Sequence, residues 1–157
     1  MNPAMNDEGL AASDALQLEQ IKFGQLMSDA ARKREEDIKA LERRLASQGG
    51  LRSGAQLLGV TDIIFTALEE VIKKVIEYRR ELGEKVPILL TPMNLRTLQH
   101  KLDQYINGGL NGVRSRQSMQ WARTGGGLGA SQEAARRASA LKIRVNQELA
   151  AIPLEAR

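Results

Sequence analysis

Few residues in this chain have types and spacing that could do covalent chemistry. Ser139-Ala140-Leu141-Lys142 fits S-x-x-K, the spacing in which a lysine activates a serine nucleophile, but the S-D-N and K-T-G partners of that motif are absent. TGGGLGAS, Thr124 to Ser131, could offer the amides of a following helix to a phosphate. It has no Gly-Lys-Ser/Thr, no preceding strand and no G-x-G-x-x-G, so it reads as a flexible joint. His100 is the single histidine, which excludes a His-His metal site, and it falls on the solvent side of its helix, one turn from Asp103. The absence of cysteine removes disulfides, thiol nucleophiles and thiolate-held metals. Glu35-Glu36 and Glu69-Glu70 diverge around a helix and form no convergent acid/base pair. The reading is therefore of a protein that is not an enzyme, with no catalytic, cofactor-binding or metal-binding residue, no cofactor and no evident small-molecule substrate.

One set of side chains does suggest a partner. The net charge is +4, yet residues 1–50 hold 7 Lys/Arg against 9 Asp/Glu, and residues 111–157 hold 8 against 3. Arg114, Arg116, Arg123, Arg136, Arg137 and Arg144 make most of that excess. Such residues could neutralise several phosphates, with Trp121 as a stacking platform. No helix-turn-helix, zinc-finger or RNA-recognition signature accompanies them, and arginines equally suit protein interfaces or pairing with the acidic N-terminal helix.

The elements that must position these residues are helices. At 157 residues the chain suits one domain; apolar residues make 42 % and charged ones 27 %. Phe23, Phe65, Tyr78, Tyr105 and Trp121 are the whole aromatic set, so the core must be Leu, Ile, Val and Ala. Residues 1–12 read as a flexible tail, 13–47 as a long helix with a bend at Gly24, 51–110 as a helical core, and 111–157 as Arg-rich helices packed on that core. The long helix carries an apolar seam, Met27, Ala31, Ile38, Leu41 and Leu45, interrupted by Arg34. A second helix opens on a Ser53/Gln56 capping box and stops at Gly83, with Ile64, Leu68, Val71, Ile72, Val75 and Ile76 on its buried stripe.

VPILLTP, Val86 to Pro92, reads as an extended connector, and Thr91-Pro92 as the start of a third helix ended by Asn107-Gly108. A short helix over 113–123 follows. A last one opens near Ser131, with Ala134, Ala138, Leu141, Val145, Leu149 and Ile152 on one stripe before Pro153. The tripeptide GGL at Gly49, Gly108 and Gly126 shows no constant period and reads as helix punctuation. The fold class expected is all-α: a long N-terminal helix plus a small bundle of about four further helices.

Two functions follow as expectations. The first is a non-catalytic helical assembly protein, a homo-oligomer or a binder of another protein, that self-associates through the Met27–Leu45 seam. The second is a nucleic-acid-binding accessory protein that uses the six arginines. LERRLASQGGLRSGAQLL, Leu41 to Leu58, resembles joints between long helices in small virion structural proteins of tailed phages, over fewer than twenty residues and with no diagnostic motif. That resemblance implies a component of an assembled particle. The most apolar window, Leu57 to Leu68, is broken by Asp62 and is too short to span a bilayer. With no secretory leader in MNPAMNDEGLAA, the expected location is the cytoplasm or an assembled particle, with no membrane partner.

Overall fold

The computed structural model of the chain describes the backbone of residues 3–49, 54–124 and 128–153, and the side chains at 11–49, 56–116 and 132–153. It is all-α. Four helices follow one another: α1 (Pro3–Ser47), α2 (Gly54–Lys85), α3 (Pro92–Thr124) and α4 (Leu128–Ala150), with a 3₁₀ turn, Pro87–Leu90, between α2 and α3. The long N-terminal helix is present, but three further helices follow it among the described residues rather than about four.

α1 starts at Pro3, so most of the segment read as a tail is helical. Proline at a first helical position loses no hydrogen bond, and Ala4, Glu8, Ala11 and Ala12 are good helix formers. The helix ends where Gly49 takes φ +70°, a left-handed conformation open to glycine at no steric cost. The first GGL is thus helix punctuation, as expected. The Ser53 half of the expected capping box lies outside the described residues.

α2 passes through Gly83 and ends at Lys85. Gly83 is not a stop. A Cβ there would run into the Leu90 side chain, so the glycine lets the Pro87–Leu90 turn fold back onto α2 and bury Leu89 and Leu90. The expected extended connector is that turn. Pro92 occupies the first position of α3, and the Thr91 carbonyl takes the Leu95 amide at 2.9 Å. The Thr91 hydroxyl donates back to the Ile88 carbonyl at 2.9 Å instead of capping the helix.

The largest departure is in α3. Asn107-Gly108 does not end it, and the segments 92–107 and 113–123 form one helix. A helical glycine costs about 1 kcal/mol relative to alanine, yet Ile106 and Val113 on either side are fully buried and hold the backbone helical. Gly109 lies against Leu68 of α2, where a Cβ would collide with the Leu68 Cδ1 methyl. The second GGL is therefore a close approach of two helices. The third GGL falls mostly outside the described residues.

α2 is the central element and packs on all three other helices. Opposed pairs fix the directions: Leu41 with Gly59 and Glu19 with Arg79 make α1 and α2 antiparallel. Leu68 with Gly109 and Arg79 with the Asn94 carbonyl do the same for α2 and α3. α4 returns parallel to α2, with Arg137 at Asp62 and the Glu148 carbonyl accepting from Arg80. The expected stripes of α2 and α4 are all buried, as are Leu95, Leu98, Leu102 and Ile106 of α3.

Candidate functional site

The seam of α1 meets α2 of its own chain. Ile38, Leu41 and Leu45 are buried in the common core, and Met27 and Ala31 are half-buried. Leu41 approaches Gly59 so closely that a Cβ there would lie 2.6 Å from its Cδ2. The apolar spacing was legible, but in this fold a second copy cannot reach Ile38 without first displacing α2.

The arginines of the C-terminal third are largely engaged inside the chain. Arg137 is 17 % exposed and bridges Asp62 at 2.7 Å and Glu69 at 3.1 Å, with its guanidinium 5.5 Å from the centroid of the Phe65 ring. It ties α4 to α2. Arg116 pairs with Glu35 of α1 at 3.0 Å, Arg144 with Glu148 at 3.2 Å, and Arg136 with Glu133 at 2.6 Å. Hydrogen bonds from Arg136 hold the Glu133 carboxyl below its usual range. Arg114 is exposed, and the side chains of Arg123 and Trp121 lie outside the described residues. The positions converge on no single face: Arg137 faces α2, Arg116 faces α1, and Arg136 and Arg144 pair within their own helix.

One ion pair went unread in the sequence. Arg79 of α2 is 1 % exposed and Glu19 of α1 is 4 % exposed. Arg79 Nε donates to Glu19 Oε2, and Nη2 donates to Oε1 at 2.6 Å. Nη1 donates to the carbonyls of Leu89 and Asn94 at 3.1 and 3.2 Å. One guanidinium thereby joins α1, α2, the 3₁₀ turn and the first turn of α3. A signal was present: Glu19 stands four residues from both Ala15 and Phe23, and Arg79 four from Val75, so each charge sits on an apolar stripe.

The same pair sets the register of the α1–α2 hairpin. Carried along both helices, that register puts Lys85, the last residue of α2, about level with Asp14. α1 continues as helix from there back to Pro3, roughly 16 Å at 1.5 Å per residue. Along this half of α1, Leu18 is 52 % and Ile21 58 % exposed, on the flank turned away from the Ala15–Glu19–Phe23 stripe.

α1 and α3 run side by side over α2 and enclose a groove. They meet across it where the Phe23 and Tyr105 rings contact edge to face, 5.5 Å between centroids at 72°. On one side of that contact is a cleft of about 520 Å³, with Phe23, Met27, Val75 and Leu98 in its lining and Gln20 and Lys101 beside them. On the other side is a cleft of about 430 Å³ lined by Arg34, Gln104, Tyr105, Gly108, Gly112 and Arg116, among others. Among the described residues, no acid lines this second cleft, and Arg34 has no acid within ion-pair distance. Burial pushes the Tyr105 hydroxyl above its usual range, and the charge of Arg34 offsets part of that shift. A Cβ on Gly108 or Gly112 would meet nothing within 4 Å, so the wall of the groove here is bare backbone. His100 is exposed and contacts Gln104 at 3.3 Å rather than Asp103.

No protein-family model matches the chain, and neither the curated proteins nor the solved structures searched give a match. Among the described residues, no helix is long and apolar enough to cross a membrane. No group of three or more His, Cys, Asp or Glu residues there could hold a metal.

Proposed function

We propose that the protein is a non-catalytic helical assembly protein that self-associates through the N-terminal half of α1. The observation that carries this reading is the mismatch of α1 with its partner helix. α1 outruns α2 by about three turns and carries Leu18 and Ile21 more than half exposed next to that overhang. Covering the exposed half of these two aliphatic side chains would contribute about 0.8–1.5 kcal/mol each. The surface differs from the seam expected from sequence, because Ile38, Leu41 and Leu45 are already covered by α2.

The nucleic-acid reading draws less support. Arg116, Arg136, Arg137 and Arg144 each hold an acid of the same chain, which cancels most of the field they would present to phosphate.

Molar mass measured by light scattering after size exclusion, over a range of loading concentrations, tests the proposal. Wild type should exceed the monomer mass, and Leu18→Gln/Ile21→Gln should return it to monomer with its thermal midpoint unchanged. A wild-type monomer at every concentration, or a double variant of unchanged mass, would sink the reading. A particle carrying nucleic acid, seen by its 260/280 nm ratio and shed at high salt, would favour the arginines instead.

A further inference from the structure

We infer that the groove between α1 and α3, at its Arg34 end, receives the acidic N-terminal arm of α1 from a second copy of the chain. The inference rests on the self-association proposed above and names the surface that accepts the arm.

The two surfaces fit in charge. The first 21 residues carry Asp7, Glu8, Asp14 and Glu19 and no Lys or Arg. Glu19 is held inward by Arg79, and Asp14 is exposed. The groove presents Arg34 and Arg116, with Lys101 further along it. Arg116 shares its charge with Glu35, whereas Arg34 is half-buried beside Tyr105 and closes no ion pair among the described residues, although Asp29, Asp37, Asp62 and Glu70 line a separate cleft on its α2 side. A half-buried cation that closes no ion pair gains more from an arriving carboxylate than one already paired.

The surfaces also fit in length and shape. The cleft at the Arg34 end follows α3 from Gln104 to Arg116 for roughly 18 Å, and the overhang of α1 that is clear of α2, Pro3 to Asp14, extends roughly 16 Å. Gly108 and Gly112 are one turn apart on α3, and neither is required by packing inside the chain, since a Cβ on either would meet nothing. At both positions a helical glycine is less stable than alanine, and bare backbone is what close approach of another helix needs. Phe23, Met27 and Leu98 continue the groove as an apolar floor against which the aliphatic side of the arm can lie. Arm and groove are different surfaces, so each copy uses both, and the contact propagates as a heterologous one.

The test is a charge-swap mixture of full-length chains. One variant reverses the arm (Asp7→Lys/Glu8→Lys/Asp14→Lys) and the other reverses the groove (Arg34→Glu/Arg116→Glu). Each alone should associate at least about tenfold more weakly than wild type, because like charges then face each other. An equimolar mixture should recover association, since each arm then finds a complementary groove. A third variant, Gly112→Leu, blocks the groove without touching a charge and should be monomeric with its helix content intact, which separates lost docking from lost folding. If Leu18→Gln/Ile21→Gln dissociates the protein but charge reversal and Gly112→Leu do not, α1 docks elsewhere and this inference falls while the assembly function stands. Reversed variants that dissociate but fail to recover on mixing also overturn it. A wild-type monomer at all concentrations overturns both.

Discussion

The Glu19–Arg79 pair should be the most sensitive polar site in the molecule. Arg79→Met removes the only described donor to a carboxylate that is 4 % exposed, and takes a bond from the buried Leu89 carbonyl. Leaving one member of a buried pair alone costs about 3–5 kcal/mol, and an unsatisfied buried carbonyl about 1 kcal/mol or more. A loss near 4 kcal/mol is expected. For a chain of this length that is a fall of roughly 8–16 °C in melting midpoint, at about 2–4 °C per kcal/mol. Glu19→Leu should lose nearly as much, because the Arg79 cation, 1 % exposed, keeps only two carbonyl partners. The double variant Glu19→Leu/Arg79→Met should come back to within about 1–2 kcal/mol of wild type, since replacing a whole buried pair with apolar side chains is often neutral.

Urea unfolding of the four proteins, followed by circular dichroism at 222 nm, gives the cycle. Two results would refute the reasoning. Single variants that lose less than about 1 kcal/mol would place the pair in water. A double variant as unstable as the sum of the singles would show that the two charges are not coupled.

Gly108→Ala should raise stability by about 0.5–1 kcal/mol, because nothing meets the new methyl, while its neighbour Gly109→Ala should lower it by about 1–2 kcal/mol against the buried Leu68; equal effects in urea unfolding would contradict the close approach of α2 and α3. Burial raises the Tyr105 pKa, so the folded state holds the phenolic proton more tightly than the unfolded state; that contribution is complete below pH 10 and is lost as pH rises through the folded value, and Tyr105→Phe should flatten the alkaline limb of stability against pH, with a superimposable limb refuting the burial.

Where many apolar contacts act together, the sequence was a reliable guide. The stripes of α2 and α4 were readable because six aliphatic positions at helical spacing outweigh any single exception. Glycine was harder to read, since the residue serves two opposite needs. At Gly49 it supplies positive φ and ends a helix; at Gly83 and Gly109 it supplies the absence of a side chain and lets a neighbour come close. A local reading cannot separate these, because the deciding atoms belong to Leu90 and to Leu68, the latter 41 residues away. The same holds for Glu19 and Arg79, separated by sixty positions: each alone is a charge set on an apolar stripe, and only the packed hairpin makes them a pair. The groove was invisible for the further reason that α3 was expected to break at Gly108, which would have removed one of its walls.

The two charged residues on the inner face of α1 divide that helix by role, and the division decides how an assembly experiment must be read. Glu19, tied to Arg79, locks the register of α1 on α2, so the helix cannot slide along its partner without leaving a buried charge alone. From Ala15 to Leu45, therefore, α1 belongs to the hairpin, while the overhang, the exposed flank with Leu18 and Ile21, and the face bordering α3 are open to a partner. Arg34 lies on that last face, where α1 and α3 enclose the glycine-walled cleft. A polar substitution at Ile38 or Leu41 would also abolish an oligomer, but by taking about 2–5 kcal/mol from the core, so mass and melting midpoint would fall together. Loss of mass at Leu18 and Ile21 with an unchanged midpoint is the signature of an interface. Only that combination assigns docking to α1 rather than to the fold that carries it.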